Sequence, residues 1–126
     1  MKKSPTPAAT GTPTIVDLAA RHCAGADDAP KLSKAAVEHL LETIPGWERV
    51  DGEIAKTYAF KNYYQTMAFV NATAWVSNQE NHHPDLEVGY NKCRVRYSTH
   101  DVDGLTENDF ICAAKVEALM AAPPGE

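Results

Sequence analysis

Residues 82–110 read HHPDLEVGYNKCRVRYSTHDVDGLTENDF. Pro84 predicts the end of the helix before it, because proline disfavours helical geometry in the preceding residue. Leu86 to Tyr90 predicts one strand and Lys92 to Thr99 a second. Alternation in the second is clean: Cys93, Val95 and Tyr97 point one way, Lys92, Arg94 and Arg96 the other. The basic face is expected to be a solvated or subunit-facing sheet surface rather than a nucleic-acid site. Asp103-Gly104 marks a turn. Thr106 then opens a last helix, with Asp109 three residues on in the manner of a capping box, although Asp is shorter than the usual Glu. Its apolar residues, Phe110, Ile111, Ala113, Ala114 and Leu119 among them, run to Met120, and Pro123-Pro124-Gly125 ends it.

Upstream, Ser33 is the expected N-cap of a helix whose apolar stripe is Val37, Leu40, Leu41 and Ile44. Pro45-Gly46 stops it. Trp47 to Val50 and Glu53 to Phe60 predict two strands around Asp51-Gly52, the favoured two-residue hairpin turn. Asn62 caps a helix running to about Glu80. Its expected core face is Tyr63, Met67, Val70, Ala74 and Ser77, with Tyr64, Ala68, Asn71 and Trp75 beside it. Ile15 to His22 is open between a short helix and an extended arm.

The order is helix, two strands, helix, two strands, helix. Tight hairpins imply antiparallel pairing. The expected fold is α+β: a single antiparallel four-stranded sheet with three helices packed on one face. The expected domain spans residues 31–121. Residues 1–30 are expected to be a disordered or loosely ordered tail, rich in Pro, Thr, Ala and Gly at its start, and 122–126 a C-terminal tail.

The 126 residues fit one domain, and 44% are apolar. A formal net charge of −5 with no long basic run argues against nucleic-acid binding. No apolar run approaches membrane-spanning length. Met1-Lys2-Lys3 is followed by Ser-Pro-Thr-Pro rather than an apolar segment, so no secretory signal is expected. Cys23, Cys93 and Cys112 are odd in number and form no CxxC pair, which predicts reduced thiols in a cytoplasmic protein.

Five histidines stand at 22, 39, 82, 83 and 100. If residues 83–100 form a hairpin, its ends meet and His82, His83 and His100 share one rim. Imidazoles titrate near neutral pH, which suits proton transfer at both ends of an elimination. Three other uses stay open. Three histidines can hold zinc, although adjacent side chains diverge on extended backbone. Cys93 could act as a nucleophile, although its place on an apolar strand face favours a buried structural thiol. The histidines could also merely cap and pack.

The string His82-His83-Pro84, Tyr90-Asn91-Lys92, Ser98-Thr99-His100, Gly104-Leu105-Thr106 and Asp109 resembles the signature of the pterin-4a-carbinolamine dehydratase (4a-hydroxytetrahydrobiopterin dehydratase) family. Pro45-Gly46-Trp47 and Phe60-Lys61-Asn62 sit where that family carries a tryptophan and an aromatic-Lys motif. The similarity runs from about Ser33 to Leu119, and a multi-part signature rarely arises by chance. Asn78 departs from it, standing where the family usually has a titratable residue.

The resemblance implies loss of water from a 4a-hydroxy-tetrahydropterin to give the quinonoid dihydropterin. On matching positions, His82 and His100 would be the acid–base pair and His83 would hold and polarise the pterin. Asp109 would orient a histidine, cap the last helix, or both. Trp47, Asn78, Pro84, Ser98 and Thr99 would contact substrate. The resemblance implies neither a metal nor an organic cofactor. It implies a homodimer or homotetramer, suited by the alternating strand Lys92–Thr99. It also allows a rival role as a protein-binding factor, since family members include a transcription coactivator and assembly factors for the carbon-fixing carboxylase.

Overall fold

The computed structural model describes residues 13–25 and 28–121. Helices α1 (Ile15–Ala20) and α2 (Lys34–Leu41) come first, then strands β1 (Glu48–Val50) and β2 (Glu53–Ala59). Helix α3 (Tyr63–Glu80) leads to strands β3 (Asp85–Val88) and β4 (Lys92–Tyr97). A 3-10 turn at His100–Val102 precedes helix α4 (Glu107–Ala121). The fold is α+β, as expected: one four-stranded antiparallel sheet in the order β1-β2-β4-β3, with four helices. Tail residues 1–12 and 122–126 lie outside the described residues.

The caps and turns follow local chemistry. Ser33 Oγ accepts the Ala36 N–H at 3.1 Å, and Asn62 Oδ1 accepts the Gln65 N–H at 2.8 Å. Asp51 and Gly52 both adopt positive φ, 48° and 80°, as a tight hairpin turn of the primed type demands. Thr14 and Asp17 close a capping box on α1. This short helix buries Leu18 completely, and its Ala19 carbonyl accepts from Lys115 of α4 at 2.8 Å.

Cys93, Val95 and Tyr97 are fully buried against the helices, with Ile54 and Tyr58 of β2 beside them. On the opposite face Arg96 pairs with Glu53 at 3.0 Å and with Glu87 at 3.3 Å. That face is mixed in charge. Strand β4 lies inside the sheet, between β2 and β3, and the open edges are β1 and β3, so β4 can meet a neighbouring molecule only through its outer face, not by strand pairing.

The core face of α3 also differs from expectation. The buried residues are Thr66, Phe69, Thr73, Val76 and Ser77. Tyr63, Tyr64 and Trp75 are 52%, 86% and 65% exposed. Of the expected stripe, Ser77 is buried and Met67 and Val70 are half-buried. Hydropathy misreads this helix because its inner face uses small hydroxylated residues that bond back to the helix. Thr66 Oγ1 donates to Asn62 O at 2.9 Å, and Ser77 Oγ to Thr73 O at 2.8 Å. A hydroxyl satisfied in this way is buried at little cost and lets the helix approach the sheet closely.

Candidate active site

The site is built around the first turn of α4. Thr106 Oγ1 accepts the Asn108 N–H at 3.2 Å, and Asp109 Oδ2 accepts the Thr106 N–H at 2.9 Å. This is a variant of the capping box: Asp stands in the Glu position, and the Thr106 hydroxyl takes the second helical N–H rather than the third. The shorter side chain leaves the carboxylate deep in the protein, where Asp109 is fully buried. Its Oδ2 also accepts from Thr99 Oγ1 at 2.8 Å, and its Oδ1 lies 2.6 Å from His82 Nε2. A buried carboxylate needs such partners on both oxygens. It can only accept, so the hydrogen of that contact belongs to Nε2 of His82.

His82 reaches this position because α3 ends abruptly. Asn81 takes a left-handed conformation, φ 52°, and turns the chain so that His82 heads toward α4 while His83 heads away. The His82 ring stacks on Tyr97, centroids 5.8 Å apart and planes 6° from parallel. Burial, with smaller contributions from nearby groups, pushes the Tyr97 hydroxyl well above its ordinary range, so a neutral phenol backs the imidazole. His82 is thus fixed by an ionic hydrogen bond at its edge and an aromatic plane beneath it.

Three cavities carry the histidines. His82 lines one of about 300 Å³ with Cys23, Ala24, Gly25, Glu80, Asn81, Thr99, Asp101 and Asn108. His100, exposed on the 3-10 turn, lines a second of about 190 Å³ with Ser98, Thr99 and Asp51–Glu53 of the β1–β2 turn. The two share Thr99. His83 lies in a third, of about 150 Å³, with Asn78, Pro84 and Leu86, and its Nε2 is 3.0 Å from Asn78 Oδ1. The rim that the hairpin argument expected to be shared by three imidazoles is thus divided. A larger groove of about 360 Å³ lies between α3 and the end of α4, lined by Phe60, Phe69, Leu119 and Met120 among others. None of its lining residues carries an acid or a base, in contrast to the histidine cavities.

Trp47 is buried, with its Nε1 donating to Glu117 Oε2 at 3.2 Å. It meets Tyr97 at 6.2 Å and reaches His82 only through that ring. Cys93 sits in the core, where burial pushes its thiol up. The Cys112 thiol is pushed up by its contact with Cys23 and by burial. Both favour the neutral, structural form. Among the described residues, no group of three His, Cys, Asp or Glu is arranged to hold a metal ion.

Several site residues escape a sequence reading. Tyr97 has an inward-facing signal but none for its stack on His82. Asn108 and Glu80 are polar helix residues beside or within the motif strings but not among their signature positions. Glu80 turns away from Asn78 and binds the segment after α1: its Oε1 accepts the Cys23 N–H at 2.7 Å, and its Oε2 lies 2.9 Å from His22 Nδ1. Burial alone would raise the Glu80 carboxyl, but the bonds from Cys23 and His22 and the Lys115 charge outweigh it and hold it below the usual range.

Fold and site together define an α+β protein with a carboxylate-braced imidazole on the wall of a polar cavity, the equipment for acid–base chemistry on a small molecule. The model of one family, Pterin 4 alpha carbinolamine dehydratase, matches residues 30–119. A relative from Nitrosomonas eutropha that bears the family's name is 58% identical over 108 residues, covering 84% of this chain and 96% of its own. Another, from Chromobacterium violaceum, is 60% identical over 92 residues, 73% of this chain and 85% of its own. The chain belongs to the pterin-4a-carbinolamine dehydratase family. The first alignment is longer than residues 30–126, so the similarity reaches back into the segment before Pro30. Among solved structures, a transcriptional coactivator/pterin dehydratase from Brucella melitensis superposes with TM-score 0.69 at 28% identity, covering 71% of this chain and 98% of that one. A pterin dehydratase-like protein identified as a RuBisCO assembly factor in the alpha-carboxysome gives TM-score 0.51 at 26% identity, over 60% and 88%.

Proposed function

We propose that this protein is a lyase of pterin recycling that removes water from 4a-hydroxy-tetrahydropterin by histidine acid–base catalysis. The observation that carries this reading is the contact of His82 with the buried Asp109, inside the span the family model matches. The reaction breaks the C4a–OH bond and the N5–H bond and releases one water and the quinonoid dihydropterin. An acid must protonate the leaving hydroxyl and a base must take the N5 proton. Asp109 holds Nε2–H of His82, which leaves Nδ1 to exchange the proton. His100, across Thr99 in the adjoining cavity, is the second member of the pair. His83, steadied by Asn78, holds and polarises the pterin, and Ser98, Thr99 and Pro84 complete its contacts. No step calls for a metal or an organic cofactor.

The protein acts in the cytoplasm as a homodimer or homotetramer. Support comes from its exposed aromatic residues: Tyr63 of α3 stacks on Tyr90, which follows β3, with centroids 6.3 Å apart, and both are exposed, as are Tyr64, Trp75 and Val88; exposed apolar patches mark association surfaces. Sedimentation giving a monomer at micromolar concentration would remove that part of the reading.

The test is dehydration of enzymatically generated 4a-hydroxy-tetrahydropterin, followed by absorbance. His82→Ala and His100→Ala each slow turnover by about 10²-fold or more while folding is retained. His83→Ala acts chiefly on KM. A second reading, a protein-binding factor, is favoured by the likeness to the RuBisCO assembly factor and by the neutral Asn78. Folded wild type that leaves the spontaneous rate unchanged would establish it and sink the first.

A further inference from the structure

The segment that leaves α1 is clasped far more firmly than the burial of Leu18 requires. Arg21 pairs with Glu107 at 2.5 Å. Glu80, its side chain 5% exposed, takes the Cys23 N–H on one oxygen and meets His22 on the other. Asn108 grips Ala24 twice: Oδ1 accepts the Ala24 N–H at 2.9 Å, and Nδ2 donates to the Ala24 carbonyl at 3.0 Å. A side-chain amide paired with both the N–H and the C=O of one residue fixes that residue's backbone in position and orientation, because neither bond can swing without breaking the other.

What this clasp positions is the His82 cavity. Cys23, Ala24 and Gly25 supply one side of it, while His82, Asn81 and Glu80 supply another. The residue that grips the arm and the residue that braces His82 are consecutive, Asn108 and Asp109. One turn of α4 therefore sets the distance between the arm and the imidazole. The Cys23 side chain is turned inward, 3.6 Å from Cys112 Sγ, so what the arm presents to the cavity is backbone and the small residues Ala24 and Gly25.

We propose that the arm Arg21–Gly25 is a substrate-facing wall of this site, and that it limits the bulk of pterin the site accepts. The inference rests on the dehydratase reading and extends it. Ala24 and Gly25 meet the ligand and determine specificity; Glu80 and Asn108 are positioning residues that act through them. A wall of backbone and small residues serves ground state and transition state alike, so its loss acts on binding more than on the chemical step.

Gly25 provides a direct test. Among the described residues a Cβ there would meet only an Asp28 carboxylate oxygen, at 3.8 Å, an ordinary contact, so Gly25→Leu is expected to fold and to narrow the cavity. Two fluorescent pterins, biopterin and the smaller 6-methylpterin, serve as probes by titration. Gly25→Leu and Asn108→Ala should each weaken biopterin about tenfold, the scale of a lost or obstructed polar contact. Gly25→Leu should weaken 6-methylpterin less. In turnover KM should rise with kcat held within about twofold. On the wild type, NMR titration with biopterin should shift the amides of Cys23–Gly25 together with those around His82. Shifts confined to His82 and Thr99, with Gly25→Leu binding biopterin as wild type does, overturn the wall and leave the dehydratase reading intact. Wild type that binds neither pterin overturns both.

Discussion

Helix α4 carries a multiply bonded carboxylate near each end, and the two have opposite uses. At its start Asp109 joins His82, Thr99 and the Thr106 N–H. Two turns on, Glu117 Oε2 takes Lys56 at 2.5 Å, the Trp47 indole at 3.2 Å and the Tyr58 hydroxyl. Burial, then the bond to Glu117, pushes that hydroxyl well above its ordinary range, and Lys56 also donates to the Pro45 carbonyl at 3.0 Å. Both clusters tie α4 to the sheet. Of the two, the Asp109 cluster is the one that includes an imidazole, and that imidazole lines a cavity. What separates a site from a staple is the partner's chemistry and access to solvent, since the density of hydrogen bonds is similar.

The comparison breaks most visibly at Asp109. Asp109→Asn keeps the volume but removes the charge that faces His82 and one acceptor for the Thr106 N–H or the Thr99 hydroxyl. Dehydration should fall about 10²-fold, the scale of a lost acid–base group, and thermal stability should fall with it. Asp109→Asn turning over at the wild-type rate would make the cluster a staple like the other.

Glu117→Gln is the counterpart and should cost about 1–3 kcal/mol, from the weakened bonds to Lys56, Tyr58 and Trp47. Chemical denaturation measures that loss. At temperatures where the variant is folded, kcat should be unchanged. A fall in kcat comparable to that of Asp109→Asn would mean that strain passes from Trp47 through Tyr97 to the His82 ring, and the two clusters would then be one unit.

Legibility in the sequence followed the same division. Strand alternation at Cys93, Val95 and Tyr97, the caps at Ser33 and Asn62, and the Asp51-Gly52 turn are local signals, and each emerged where the residues place it. Asp109 was visible as a capping residue because its partner Thr106 is three residues away. Its contact with His82 spans 27 residues, and before the fold is known only the family's motif points to it. The inner face of α3 departs from the hydropathy pattern because Thr66, Thr73 and Ser77 are polar by type; the Thr66 and Ser77 hydroxyls become buriable once they bond the backbone, while the buried Thr73 hydroxyl has no partner among the described residues. The arm was legible to neither method. Ile15 to His22 is too short to declare a period, and the docking of the segment after it depends on Glu80 and Asn108, far along the chain.

The smallest expected effect lies at Glu80, between the two clusters in character: a carboxylate that anchors the arm and lines the His82 cavity without touching His82 in the structure. Its folded carboxyl titrates below the ordinary value of 4.5. The fold therefore favours the charged form, and a group depressed in this way contributes stability that is complete above 4.5 and lost as pH falls through its lower folded value. Wild type should lose part of its stability on acidification below about 4.5 through Glu80, and Glu80→Gln should lose less over the same range, starting from a lower plateau near neutrality. The difference between the two denaturation curves isolates this group from the other carboxylates, which titrate in both proteins. Parallel curves from pH 7 to pH 3 would mean that the Cys23, His22 and Lys115 contacts do not stabilise the charged form, and that the arm is held by its other contacts, those of Arg21, Ala24 and Leu18.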